Sequence, residues 1–251
     1  MTPTSPSREL IGFFQAELAE LPECEAAPAD LAALCEAVHE QNQRANVTAA
    51  RSPLEIAREH VLDALTLIPA IRERLPECDT PQLIDVGAGG GFPGLPLALA
   101  LPQLRVTLLD SIEKKCRAAR AAADAVPALA ESGCVEVIRG RAEDWAREDG
   151  HREQYDFATA RAVGACATQA ELTLPFLRIG GWLLLQKGAA AAQEIESATG
   201  AIEILGGRLE FVQTIERSGQ LAPRLLAGVR KAAHTPEKYP RRSGLPSKRP
   251  L

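Results

Sequence analysis

The segment that most restricts what this chain can become is Leu83-Ile84-Asp85-Val86-Gly87-Ala88-Gly89-Gly90-Gly91-Phe92-Pro93-Gly94. A short β-type apolar run ends in a glycine cluster, and a proline follows where a helix would begin. Glycine reaches positive φ without steric cost and lets backbone N–H groups approach a ligand closely. Proline at the first helical position is preorganised for that turn. The segment therefore predicts a strand, a tight ligand-facing turn and a helix, in that order.

The rest of the chain supports a repeating version of the same unit. Short β-type runs recur at Leu83–Val86, Arg105–Leu109, Val135–Ile138, Tyr155–Thr159 and Trp182–Leu185. Between them, Pro93–Ala100, Ile112–Val126, Glu143–Glu148 and Val163–Leu177 are rich in Ala, Leu or Glu and read as crossover helices. Strands alternating with helices predict an α/β fold with a mostly parallel, doubly wound sheet. After Lys187 an Ala/Glu-rich helix to about Leu205, the pair Gly206-Gly207 and strand candidates Leu209–Ile215 and Leu225–Val229 complete it. Upstream, apolar residues at helical spacing, with Ser52 as N-cap before Pro53, predict a helical region. The expected division is an N-terminal helical extension (1–76), a ligand-binding α/β domain (77–231) and a basic C-terminal tail (232–251).

Several classes are set aside by composition. No uninterrupted apolar stretch reaches the ~18 residues of a membrane span, and Met1 to Ser7 lack a signal-peptide pattern, so a cytoplasmic protein without a membrane partner is expected. The six cysteines form no C-x-x-C pair and have no histidines at finger spacing, which points to reduced thiols and no metal. The net charge of −5 conceals an asymmetry: Arg224 to Leu251 hold eight Lys or Arg against the single acid Glu237, leaving 20 basic and 32 acidic residues before them. An acidic body with a basic edge fits a chain that meets phosphate at one side.

The glycine turn admits two ligands. Gly89 to Gly94 satisfies G-x-G-x-x-G, and Asp110 follows at the end of the second strand, where an acid can accept from a ribose hydroxyl; both suit a nicotinamide-binding oxidoreductase. Asp85, two residues before Gly87, adds an acidic-x-Gly-x-Gly-x-Gly run that resembles motif I of S-adenosylmethionine-dependent methyltransferases. That resemblance implies a Rossmann-like methyltransferase fold, with the acid near the methionine end of the cofactor, the glycine turn at methionine and ribose, and Asp110 at the ribose. After the fourth strand stands Thr159-Ala160-Arg161-Ala162-Val163, without the Pro-Cys nucleophile of cytosine-C5 enzymes or the Asn- or Asp-Pro-Pro-aromatic segment of amino-directed ones. Guanine N7 carries an exposed lone pair and needs no base, so catalysis by alignment and desolvation suits such a site.

The chain resembles the ribosomal RNA small-subunit methyltransferase G family, also called glucose-inhibited division protein B, from about Asn42 to Leu251. The resemblance rests on Arg44-Ala45-Asn46-Val47-Thr48, Arg58-Glu59-His60-Val61-Leu62-Asp63, the glycine turn, Leu108-Leu109-Asp110-Ser111, Arg141-Ala142-Glu143-Asp144, Ala160-Arg161-Ala162, Gln186-Lys187-Gly188 and Thr235-Pro236-Glu237-Lys238-Tyr239-Pro240-Arg241. It implies methylation of guanine N7 at position 527 of 16S rRNA, with S-adenosylhomocysteine as product. It implies a cofactor site of Asp85, Gly87, Gly89, Phe92, Asp110, Ser111, Ile112, Ala142, Glu143 and Arg161. No residue is assigned covalent or acid–base catalysis; Arg161, Lys187 and His60 are the substrate-side candidates, His60 together with Asn46 and Asp63. Lys114, Arg117, Arg141, Lys187, Arg241 and Arg242, with Lys115, are the expected RNA contacts, on naked 16S rRNA or on the small subunit. No DNA or obligate protein partner is expected, and Trp145 and Trp182 read as core. The rivals are a small-molecule methyltransferase on the same fold, the oxidoreductase, and an RNA-binding assembly factor that keeps the pocket as scaffold.

Overall fold

The structure is a computed structural model and describes residues 6–161, 163–216 and 222–251. Helix α1 (Arg8–Leu18) starts at Ser7, whose hydroxyl accepts from the Leu10 N–H. Helix α2 (Pro28–Ala45) stops at Asn46, which takes the left-handed conformation at φ 48° that asparagine tolerates best after glycine. Next come α3 (Pro53–Ile56), capped by the Ser52 hydroxyl as expected, a π-helical turn (Ala57–Val61), α4 (Leu62–Leu65) and α5 (Ile68–Arg72).

The α/β part runs β1 (Gln82–Val86), α6 (Gly94–Ala100), β2 (Arg105–Asp110), α7 (Glu113–Asp124), α8 (Pro127–Ser132), β3 (Val135–Arg139), α9 (Ala142–Trp145), β4 (Tyr155–Thr159), α10 (Cys166–Thr173) and β5 (Leu177–Gly188). It closes with α11 (Ala192–Ser197), α12 (Thr199–Ile204), β6 (Gly207–Ile215) and β7 (Arg224–Lys231), and a short α13 (Leu245–Lys248) lies near the C-terminus. The strands form one sheet in the order β3-β2-β1-β4-β5-β7-β6, parallel except for β7, which is antiparallel to both of its neighbours. A classic dinucleotide-binding sheet has the order 3-2-1-4-5-6 with a sixth parallel strand. The inserted antiparallel β7 separates this chain from that pattern and counts against the nicotinamide reading.

Two apolar clusters lie on opposite faces of the sheet. One joins Leu10, Phe14, Leu31, Leu34 and Val61 from the N-terminal helices to Leu97 of α6, Val106 of β2 and Phe157 of β4. The helices of residues 1–76 thus share a core with one face of the sheet. Phe14 is wholly buried there, which stabilises the fold by about 2–3 kcal/mol. The other cluster packs Cys166, Ala170, Ile195 and Ile202 from α10 to α12 on Ile84, Ala158 and Leu183. Among the described residues no helix is long and apolar enough to cross a membrane.

Several element boundaries differ from the sequence reading. The helix expected from Ile112 to Val126 ends at Asp124, because Pro127 forces Val126 to extended backbone and begins α8. The helix expected to reach Leu177 ends at Thr173, and β5 starts at Leu177, well before Trp182. Gly180-Gly181 sits inside β5, opposite a register shift in β4 between Tyr155 and Phe157. The expected tail, 232–251, is folded against the body: Thr235, Tyr239 and Pro246 are buried.

Candidate active site

The parallel strands carry their loops to one edge, where a cleft of about 420 Å³ opens between the β1 turn, the loops after β2, β3 and β4, and the 47–49 segment. That volume falls within the range of small-molecule sites, about 300–1,000 Å³. The β1 turn forms its floor. Gly87 and Gly89 have φ of 75° and 58°, and a side chain on Gly87 would stand 2.9 Å from Val163 of the β4 loop. Gly94 serves packing: a methyl there would lie 2.2 Å from Leu108, so only glycine lets α6 approach the sheet this closely.

Asp110 ends β2, and its carboxylate holds the turn. One oxygen accepts from the Gly89 N–H at 3.0 Å and the other from the Ile112 N–H at 2.8 Å. Ser111 and Ile112 follow at the lip, where Ile112 leaves 42% of its surface exposed as an apolar wall. Across the cleft, Arg141, Ala142 and Glu143 come from the start of α9.

Asp85 is placed differently from the rest of the expected cofactor set. It is fully buried behind the turn and does not line the cleft; Oδ2 accepts from the Gly94 N–H at 3.0 Å and Oδ1 from the Thr159 hydroxyl at 3.4 Å. Burial pushes its carboxyl up to about 7, against the opposing pull of the Gly94 N–H, the Arg161 charge and the Thr159 hydroxyl. Its position suits holding the α6 terminus and the turn in place.

The opposite wall is a polar chain between the N-terminal helices and the loop after β4. The π turn, an irregularity frequent at functional sites, carries His60. The His60 ring stacks on Phe92 at 5.0 Å, its Nε2 meets the Thr48 hydroxyl, and its Nδ1 lies 3.0 Å from Arg161 Nη2. Arg161 also pairs with Asp63 at 3.1 Å, and Asp63, nearly fully buried, takes Arg224 on its other oxygen at 3.1 Å. His60 and Arg161 both line the cleft. Asn46 does not; it turns the chain so that Val47 and Thr48 do, and Asn42 fixes the loop by accepting from the Thr48 N–H and donating to the Ala50 carbonyl.

The expected RNA contacts divide into separate settings. Arg141 and Lys115 line the cleft mouth, and Lys114, Arg117 and Arg242 are exposed on the surface. Lys187 instead donates to the Gly164 carbonyl and to Glu194, bracing the loop after β4. Arg241 points inward onto the fully buried Glu171, to which its Nε donates at 2.8 Å. Charge counting could not separate it from Arg242, because the distinguishing feature is a buried partner 70 residues away. The sequence reading also passed over Val47, Thr48, Ala49 and Ser247 as lining residues; small or apolar, they carry no chemical signature.

Residues 28–222 match the family model described as rRNA small subunit methyltransferase G. Curated relatives named ribosomal RNA small subunit methyltransferase G include one from Leuconostoc mesenteroides, 40% identical over 84% of this chain and 85% of that protein. Another, from Pelotomaculum thermopropionicum, is 43% identical over 84% and 85%. Among solved structures, a protein described as a predicted O-methyltransferase from Agrobacterium tumefaciens superposes with a TM-score of 0.53 at 19% identity, covering 69% of this chain and 81% of that one. A 16S rRNA (adenine(1408)-N(1))-methyltransferase from Catenulisporales acidiphilia gives 0.50 at 14%, covering 61% and 89%. These structural likenesses show the fold.

Proposed function

Because the chain belongs to the rRNA small subunit methyltransferase G family, we propose that it transfers the methyl group of S-adenosylmethionine to guanine N7 at one position of 16S rRNA. The observation that carries this reading is the cleft itself: a glycine floor, a ribose-height carboxylate and an apolar lip meet at the carboxyl edge of the sheet, with Lys115 and Arg141 at its mouth.

The residues present fit the cofactor. Gly87 and Gly89 leave the floor free of side chains, Asp110 keeps lone pairs for ribose hydroxyls beyond its two backbone bonds, and Ile112 offers a flat base an apolar face. Ala142 and Glu143 close the adenine side. When bound, the cofactor supplies an electrophilic methyl on a sulfonium.

Guanine N7 carries its own in-plane lone pair, so with the cofactor's methyl placed in line no side chain would have to take up or supply a proton. The protein's task is then to align and desolvate. Arg161, held by His60 and Asp63, sets one polar wall of the space a base would occupy, and Phe92 stacked on His60 fixes the ring that holds it. A rigid cation at this edge can donate to the guanine carbonyl beside N7.

The test is transfer of labelled methyl to small ribosomal subunits lacking their native modification, with the product nucleoside identified by mass spectrometry. Label in 7-methylguanosine at one site, lost with Asp110→Ala, supports the reading. Cofactor binding without label on RNA would move the assignment to a small-molecule substrate.

A further inference from the structure

We propose that the C-terminal segment, residues 243–247, is part of the cofactor site and positions Glu143 for adenine; the inference rests on the cofactor reading above. The Gly244 N–H donates to Glu143 Oε1 at 2.7 Å, and the Ser243 hydroxyl donates to Asp144 Oδ1 at 3.2 Å. Ser247 lines the cleft directly. Glu143 is itself a cleft residue and only 6% exposed, so the bond from Gly244 fixes the rotamer of a carboxylate that faces the ligand space. With Oε1 engaged, Oε2 is left to accept from an exocyclic amino group.

The segment is anchored on both sides, which gives the bond its rigidity. Upstream, Arg152 donates to the carbonyls of Thr235 and Tyr239, Arg147 to those of Glu237 and Pro240, and Arg241 pairs with buried Glu171. Downstream, the Thr168 hydroxyl of α10 donates to the Pro246 carbonyl at 3.0 Å. Arg147 and Arg152 lie in the loop between α9 and β4, so the stretch that begins with Glu143 is tied to the C-terminal segment at several points. Gly244 lies at φ 80° with open space around its Cα, so a side chain there would disturb the turn through backbone strain and not by collision.

The test is calorimetric binding of S-adenosylhomocysteine and of its inosyl analogue, in which a carbonyl replaces the adenine amino group. Three proteins are compared: the full chain, a truncation after Arg242, and full-length Gly244→Val. The full chain should prefer the adenine ligand, and both variants should bind it about tenfold more weakly, about 1.4 kcal/mol, with the inosyl affinity little changed. Glu143→Gln, its carbonyl held by Gly244 and its amide facing the ligand, should shift the preference toward the inosyl compound. If the truncation fails to fold, Gly244→Val decides. Variants that bind S-adenosylhomocysteine as tightly and selectively as the full chain overturn the inference, and variants that lose only RNA affinity reassign the segment to RNA. No binding of S-adenosylhomocysteine by the unaltered chain would refute the cofactor reading itself and this inference with it.

Discussion

Asp85 has no exposed surface, accepts one backbone N–H and one hydroxyl, and its carboxyl is pushed from an ordinary 3.8 up to about 7 by burial. A raised folded-state value means that the folded protein holds the proton more tightly than the unfolded chain does. The stabilising contribution is then complete below about 4 and is lost as the pH rises through about 7. Three pKa units at 1.36 kcal/mol each set the full span at about 4 kcal/mol, of which roughly 2–3 kcal/mol falls between pH 5 and pH 8.5. Asparagine can reproduce both contacts without titrating: its carbonyl accepts from Gly94 and its amide donates to the Thr159 hydroxyl. Urea unfolding of the original chain and of Asp85→Asn at those two pH values gives a difference of differences in which other titrating groups cancel. The asparagine variant should gain about 2–3 kcal/mol relative to the original on going to the higher pH. A difference that does not move with pH would mean that Asp85 is an ordinary ionised carboxylate, and burial would not be what sets its state.

Arg241→Met should strand the buried Glu171 charge and cost about 3–5 kcal/mol, roughly 10 °C in Tm by calorimetry, whereas Arg242→Ala should leave Tm in place and weaken RNA binding in a salt-dependent way. An unchanged Tm for Arg241→Met would show that the pair does not hold the C-terminus. Gly87→Asp combines a φ of 75° with a side chain 2.9 Å from Val163, and should abolish cofactor binding by calorimetry while lowering Tm by only roughly 5 °C. The Lys231 ammonium is fully buried, and burial lowers it to about 8, so its stabilising contribution is complete above about 10.5 and is lost as the pH falls through about 8. Lys231→Met should remove that rise in stability on the alkaline side, about 3 kcal/mol at most, as read by urea unfolding at pH 7.5 and pH 10.

The parts of this molecule that could be read from sequence are those written in local chemistry. The glycine turn, Asp110 and the strand alternation each combine a residue type with a short spacing, and β1, the turn and α6 lie where that pattern puts them. The early start of β5 is hidden in the sequence for a physical reason: glycine's freedom at Gly180-Gly181 serves a bend inside a strand as well as a turn between elements, and only the register opposite β4 distinguishes the two. The π turn was equally hidden, since one extra residue per turn leaves the apolar spacing of Ile56, Val61 and Leu62 almost unchanged while redirecting His60. Asp85 was assigned to the ligand from its motif, but its side chain faces the back of the turn, a direction that sequence spacing does not encode.

Long-range polar pairing explains what had looked like a contradiction in the charge. A chain of net charge −5 is a poor match for polyphosphate if every carboxylate faces water. Among the described residues, however, Asp63, Asp85, Asp110, Glu143, Asp156 and Glu171 are buried, against a single buried lysine, Lys231. Several of these carboxyls present no open charge to solvent: Asp63 is paired with Arg161 and Arg224, Glu171 with Arg241, and burial pushes the Asp85 carboxyl up to about 7, so the cations at the cleft mouth are not set in a uniformly acidic field. The acids that made the body look hostile to RNA are largely those that build the site: Asp110 and Asp85 hold the glycine turn, Asp63 holds Arg161, and Glu143 and Glu171 hold the C-terminus. Truncating an acid altogether, as in Asp63→Ala or Glu171→Ala, would make the count of charges look more favourable for RNA, and would strand the arginine that the acid holds at the cleft wall or at the C-terminus.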